Sequence, residues 1–140
     1  MKVLITGVAG FIGFSCANKF INKNIQVVGI DNFDSYYSTR LKKKRVQILK
    51  KNKNFKFYKV DIRSKRELNK IKKIDFSYVF HFAAQSLVIE GYKNPKDTIY
   101  SNIIGSYNIM EVVNEVKTIK SLIISTTDKV LGKFRLFFCD

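Results

Sequence analysis

The run Gly7-Val8-Ala9-Gly10-Phe11-Ile12-Gly13 restricts what this chain can fold into more than any other part of it. It follows a short apolar stretch, Val3-Leu4-Ile5, that stops abruptly and reads as a buried strand. It opens a segment from about Phe11 to Lys23 in which Ile12, Cys16 and Phe20 recur at helical spacing. Glycines in such a strand-to-helix turn do three things. One permits the tight turn, one lets backbone come close to a ligand, and one lets the helix lie against the strand. The helix then presents unpaired N–H groups and the positive end of its dipole to whatever sits above the turn, which suits phosphate.

A second apolar run, Ile25 to Ile30, ends in Asp31. An acid at the end of the second strand, about 20 residues past the turn, accepts hydrogen bonds from an adenosine ribose. It also repels a 2′-phosphate. The spacing therefore predicts a dinucleotide site that takes NAD in preference to NADP, built on Gly7, Gly10, Phe11, Ile12, Gly13, Asp31 and Asn32. The bland alternative is a structural glycine turn followed by a loop aspartate.

The alternation of strand and helix continues along the chain. Leu41 to about Lys51 reads as a basic helix with Leu41, Ile48 and Leu49 facing inward. Phe55 to Val60 is a third strand, stopping before Asp61. Ser64 and Glu67 have capping-box spacing ahead of Leu68, Ile71 and Ile74. Tyr78 to His81 is a fourth strand. Asn94 caps and Pro95 opens a helix whose apolar face is Ile99, Ile103, Met110 and Val113. Ser121 to Ile124 is a fifth strand. Such alternation implies an α/β fold of Rossmann type, a doubly wound parallel sheet of five strands in the order 3-2-1-4-5. The expected domain is 1–132. A divergent tail, 133–140, carries Phe134, Leu136, Phe137 and Phe138 with no partner element behind it.

Composition narrows the partners. The net charge is +15, densest between Arg40 and Lys53, which invites a nucleic-acid reading. Lysine recurs along the whole chain, and no base-reading or stacking residues accompany the cluster. The expectation is a solvated basic surface and no nucleic-acid partner. The two cysteines, Cys16 and Cys139, and the one histidine, His81, have no ligand spacing, so no metal is expected. No apolar run is long enough for a membrane span, and the glycines interrupt the one stretch that resembles a signal peptide. A reduced, cytoplasmic setting follows.

The opening KVLITGVAGFIG resembles that of extended short-chain dehydrogenase/reductases, specifically nucleotide-sugar epimerases and dehydratases. The likeness covers about residues 1–132. It implies that Asp61 and Ile62 lie against adenine, and that the loop Phe82-Ala83-Ala84-Gln85-Ser86 lines the cofactor. It places Asn102 and Ser125 near the same site. It also implies a nucleotide-sugar substrate and a possible homodimer in the full-length family. Ile30-Asp31-Asn32-Phe33 with Tyr36-Tyr37 looks like 4-epimerases of uronic acids. Ala84-Gln85-Ser86-Leu87-Val88 looks like CDP-glucose 4,6-dehydratases, so both subfamilies stay open.

In that family a sugar hydroxyl gives its proton to a tyrosine, helped by a lysine four residues on and by a serine or threonine. Thr127 matches the serine/threonine position, and Asp128 and Lys129 match the acid/base pair of dehydratases. A polar loop at a strand end is the alternative for these three. No tyrosine follows Thr127. Tyr92 and Lys96 have the right spacing but precede Thr127, with Pro95 between them. The chain is thus expected to be the NAD-binding portion of such an enzyme, truncated before the last strands and substrate domain and not competent alone. A non-catalytic NAD-binding or protein-interaction module is the alternative.

Overall fold

Lys2–Thr6 form the central strand, β1, of a computed structural model that describes residues 1–127. β1 pairs in parallel with β2 (Gln26–Asp31) on one side and β4 (Tyr78–His81) on the other. β3 (Phe55–Lys59) flanks β2, and β5 (Ser121–Ile124) flanks β4. The order is β3-β2-β1-β4-β5, as the alternation predicts. The tail 133–140, the expected boundary at 132, Asp128 and Lys129 lie outside the described residues.

Side chains of β1 alternate between two cores, as a strand buried on both faces requires. Val3 and Ile5 join Val27, Ala17, Ile21, Val46 and Leu49 beneath helices α1 (Phe11–Asn22) and α2 (Thr39–Lys50). Leu4 joins Val28, Ile30, Leu68, Ile71 and Ile109 beneath α3 (Lys65–Lys72) and, later in the chain, a helix over Gly105–Glu115. Burying each valine, leucine or isoleucine of these cores contributes about 1.5–3 kcal/mol against the entropy of ordering the chain.

Four expectations about helices need correction. In α1 the inward residues are Gly13, Ala17 and Ile21, while Cys16 and Phe20 pack at the margin and Ile12 is 56% exposed. The start of the helix crosses so close to the glycine turn that no side chain fits at Gly13. In α2, Lys42 and Val46 face inward with Leu49, and Leu41 and Ile48 face out. The Lys42 stem is buried while its ammonium donates to the Asp34 carbonyl at 2.7 Å. Ser64 caps α3 through Glu67 N–H, but the Glu67 carboxylate accepts from Asp61 N–H at 2.8 Å, so the box is not reciprocal.

The fourth concerns residues 88–115. A short helix α4 (Val88–Lys93), unread in the sequence, precedes α5 (Pro95–Ile99), a π-helical turn (Tyr100–Ile104) and α6 (Gly105–Glu115). Asn94 occupies the cap position of α5, but its side chain turns to Glu90. The inward residues are Ser101, Gly105, Asn108, Ile109 and Val112, whereas Ile99, Ile103 and Met110 are exposed and Val113 is partly buried. Contact distance decides this face. A Cβ on Gly105 would stand 2.6 Å from Ile62 Cδ1, so the face that meets Ile62 must begin with small residues. The break between α4 and α5 also separates Tyr92 from Lys96, and Tyr92 is 85% exposed.

Candidate functional site

All five strands run parallel, so their carboxyl ends share one edge, where ligands bind in open α/β sheets. The glycine turn sits at the end of β1. Gly7 has φ +65, which a residue with a side chain adopts at a cost, and a Cβ there would meet Ala83 N at 2.7 Å. A Cβ on Gly13 would lie 2.3 Å from the Gly7 carbonyl oxygen. Gly10 differs: its Cβ would meet that oxygen at 3.1 Å and otherwise face open space. Two of the three glycines serve packing, and the third keeps the mouth of the turn clear.

The start of α1 is free to receive an anion. Gly10 stands at its cap with no side-chain hydrogen bond, no acid lies in the first turn, and Phe11 and Ile12 are exposed. Arg45 of α2 donates to the Ala9 carbonyl at 3.1 Å and lies over the rings of Phe11 and Phe14. It adds a positive charge beside the turn.

Asp31 ends β2, as expected, and is buried. Its Oδ2 accepts from Ala9 N–H at 3.1 Å and its Oδ1 from Phe33 N–H at 2.8 Å. Phe33 reaches that contact in the left-handed region, φ 59, with its ring against Phe57. Burial pushes the Asp31 carboxyl above its ordinary value, while the two N–H groups and Lys42 oppose that shift. Each carboxylate oxygen keeps a lone pair for a further donor. The carboxylate that points at the glycine turn is thus positioned by the turn itself.

Asp61 and Ile62 follow β3. Arg63 grips both Asp61 oxygens, with Nη2 to Oδ2 at 2.7 Å, and Asn32 Nδ2 adds a contact at 3.3 Å. Burial works to raise the Asp61 carboxyl, and these hydrogen bonds outweigh it, so the net shift is downward. Arg63 and Asp34 border a polar cleft of about 450 Å³ that also takes in Tyr36, Glu90 and Asp97. Tyr37 reaches across to Ser86 at 3.3 Å, joining the loop after β2 to the loop after β4.

The Phe82-Ala83-Ala84 loop follows β4 and lies directly on the Gly7 turn. Asn102 pins its far end: Oδ1 accepts from Gln85 N–H at 2.7 Å and Nδ2 donates to the Gln85 carbonyl at 2.9 Å. Asn102 therefore reaches the site through the loop. Ser125, past β5, is tied by its N–H to the His81 carbonyl at 3.1 Å and is exposed with Thr127 at the same edge. Thr6 and Ser106 escaped the sequence reading. Each acts through a three-dimensional contact, and only the position of Thr6, beside Gly7, gave a local hint. Among the described residues no cluster of His, Cys, Asp and Glu could hold a metal ion. No helix among them is long and apolar enough to cross a membrane.

A glycine turn, an open helix start and a strand-end aspartate on a parallel sheet define a Rossmann-type fold of the dinucleotide-binding class. Residues 4–137 match the GDP-mannose 4,6 dehydratase family, and the chain belongs to this family of epimerases and dehydratases. It is 36% identical over 128 residues to the UDP-glucuronate 4-epimerase of Thermodesulfobacterium geofontis, covering 91% of this chain and 39% of that protein. It is 39% identical over 134 residues to Protein CapI of Staphylococcus aureus, covering 94% of this chain and 39% of that protein. The UDP-glucuronic acid 4-epimerase of Bacillus cereus, solved with UDP-glucuronic acid and NAD, superposes with a TM-score of 0.83 at 30% identity. That match covers 96% of this chain and 42% of the epimerase. The chain thus spans about 40% of the length of these relatives, and what it matches is the amino-terminal, NAD-binding part of nucleotide-sugar epimerases.

Proposed function

We propose that this chain binds NAD and forms the cofactor-holding part of a nucleotide-sugar 4-epimerase whose substrate is a UDP-uronic acid. The observation that carries the cofactor reading is the Asp31 carboxylate held over an uncapped α1 by Ala9 N–H. The backbone at Gly10, Phe11, Ile12 and Gly13 would receive the pyrophosphate. Asp31 and Asn32 would take the adenosine ribose, and Asp61 with Ile62 would border the adenine. Phe82, Ala83, Ala84 and Ser125 would line the nicotinamide end. The uronic acid is supported by the named relatives and by the Asp31-Asn32-Phe33 and Tyr36-Tyr37 pattern.

Bound NAD supplies a hydride acceptor for a sugar carbon. The residues of this chain orient that exchange. Thr127, exposed beyond β5, would hydrogen-bond the sugar hydroxyl, and Asp128 and Lys129 follow it in sequence. The same proposal includes a cytoplasmic location and a homodimer. The dimer is supported by the outward stripe of Ile99, Ile103, Tyr107 and Met110, four apolar side chains on one helical face.

Calorimetry of NAD binding to the 140-residue chain tests the reading. Binding is expected, lost in Gly10→Val and weakened about 10- to 100-fold in Asp31→Ala. A chain folded by circular dichroism that fails to bind NAD would refute it.

A further inference from the structure

Thr6 ends β1 with its side chain fully buried, so its hydroxyl must find partners inside the protein. A hydroxyl has one proton and two lone pairs. Phe82 N–H and Ala83 N–H both donate to Thr6 Oγ1, each at 3.1 Å. Both lone pairs are then committed, and the hydroxyl proton has one direction left, toward His81 Nδ1 at 2.6 Å. His81 Nδ1 must accept, so the ring proton sits on Nε2. That nitrogen is 2.9 Å from Ser106 Oγ of α6, to which it donates. The chain of donors has a single consistent direction, Thr6 to His81 to Ser106.

We infer that Thr6, neutral His81 in its Nε2–H form and Ser106 make a directed hydrogen-bond relay that holds the Phe82–Ala84 loop against the glycine turn, and that they are positioning residues of the cofactor site. The consequence for the cofactor rests on the NAD reading above. The relay joins β1, β4 and α6 where the two ligand-facing loops touch. Gly7 and Ala83 lie in direct contact there. Phe82 N–H has a second acceptor in the Thr6 carbonyl at 3.3 Å, whereas Ala83 N–H leans on the hydroxyl. A neutral imidazole is required. A proton on Nδ1 would turn the Thr6 hydroxyl away and cost it an acceptor position. His81 is too deep to touch a ligand itself, being 2% exposed.

The chain contains one histidine, so its ring nitrogens give unambiguous 15N signals. In the cofactor-free chain at neutral pH the shifts should report the Nε2–H tautomer, and the Ala83 amide should be protected from exchange. Thr6→Val should raise Ala83 exchange at least about tenfold and weaken NAD binding by about the same factor. Thr6→Ser should restore both to within about twofold, which a merely space-filling role would not achieve. If Thr6→Val fails to fold, Ser106→Ala reads the same relay through the His81 signals, which should lose the Nε2–H hydrogen-bond shift. An Nδ1–H or charged ring in the native chain, or unchanged Ala83 protection in folded Thr6→Val, would overturn the relay. A chain with the expected tautomer and protection that does not bind NAD would leave the relay standing and sink the cofactor reading.

Discussion

β1 and β4 end side by side, and each passes the chain into a loop at the ligand edge. The two loops touch, yet they are held in opposite ways. The loop after β1 is shaped by the lack of side chains: Gly7 and Gly13 let backbone pack on backbone. The loop after β4 is shaped by side chains sent from elsewhere, Thr6 from β1 and Asn102 from the π-helical turn. The backbone-packed loop takes its shape largely from its own glycines, with Asp31 and Arg45 each adding one hydrogen bond at Ala9. A side-chain-tied loop depends on residues many positions away.

The largest effect should come from Gly13→Ala. Its methyl would stand 2.3 Å from the Gly7 carbonyl oxygen, a backbone atom with nowhere to go. We expect a loss of at least about 3 kcal/mol in urea unfolding, enough to unfold a marginal domain. Gly10→Ala should cost less, about 1 kcal/mol, because its methyl meets the same oxygen at 3.1 Å and alanine is a poorer helix cap than glycine. If Gly13→Ala is tolerated, the backbone-packed description of the first loop is wrong.

Next in size is Asn102→Ala, which probes the second loop. It removes both hydrogen bonds to the Gln85 backbone, and Gln85 is buried. The stranded N–H and carbonyl should cost about 2–3 kcal/mol, measured by urea unfolding. Asn102→Asp is the sharper variant: its carboxylate can still accept from Gln85 N–H but meets the Gln85 carbonyl with repulsion. It should recover less than half of the loss.

His81 makes a pH test of the same loop. Burial pulls its pKa from 6.5 to about 4. The unfolded chain therefore binds the proton first as pH falls, and the folded state loses stability between those values. Above 6.5 the contribution is fully present. Going from about pH 7 to about pH 5 should remove roughly 2 kcal/mol. His81→Gln should flatten that slope. Asp61, shifted down, adds loss at lower pH, and Asp31, shifted up, opposes it. A wild-type slope equal to that of His81→Gln would show that His81 does not stay neutral in the folded chain.

The contrast between the loops also marks what could be read in the sequence. The sheet order, the glycine turn and Asp31 were legible, because glycine spacing and apolar runs are local signals. The partners of the second loop were not. Thr6 looks like one more strand residue, His81 looks like a strand-end structural histidine, and Ser106 looks like helix surface. Their roles arise when β1, β4 and α6 meet. Lys42 misled in the other direction, since a lysine in a basic helix gives no sign that its stem lies inward.

The smallest effect belongs to the helix behind the second loop, where the sequence suggested the wrong face. That helix turns Ser101, Gly105 and Asn108 inward with Ile109 and Val112, because Ile62 presses on Gly105 and Asn108 donates to the Ile62 carbonyl at 2.9 Å. An inner face that must approach closely and serve a loop cannot be the most apolar one. Ile103 is consequently 60% exposed. Ile103→Ser, studied at a dilution where chains are separate, should change unfolding free energy by no more than about 0.5 kcal/mol. Ile109→Ser, on the buried face of the same helix, should cost at least about 2 kcal/mol through lost burial and a stranded hydroxyl. At high concentration Ile103→Ser should instead reduce self-association in sedimentation, because the exposed stripe is where the proposed dimer would form. A large loss from Ile103→Ser in the dilute chain would return that residue to the core and undo the account of how α6 supports the loop.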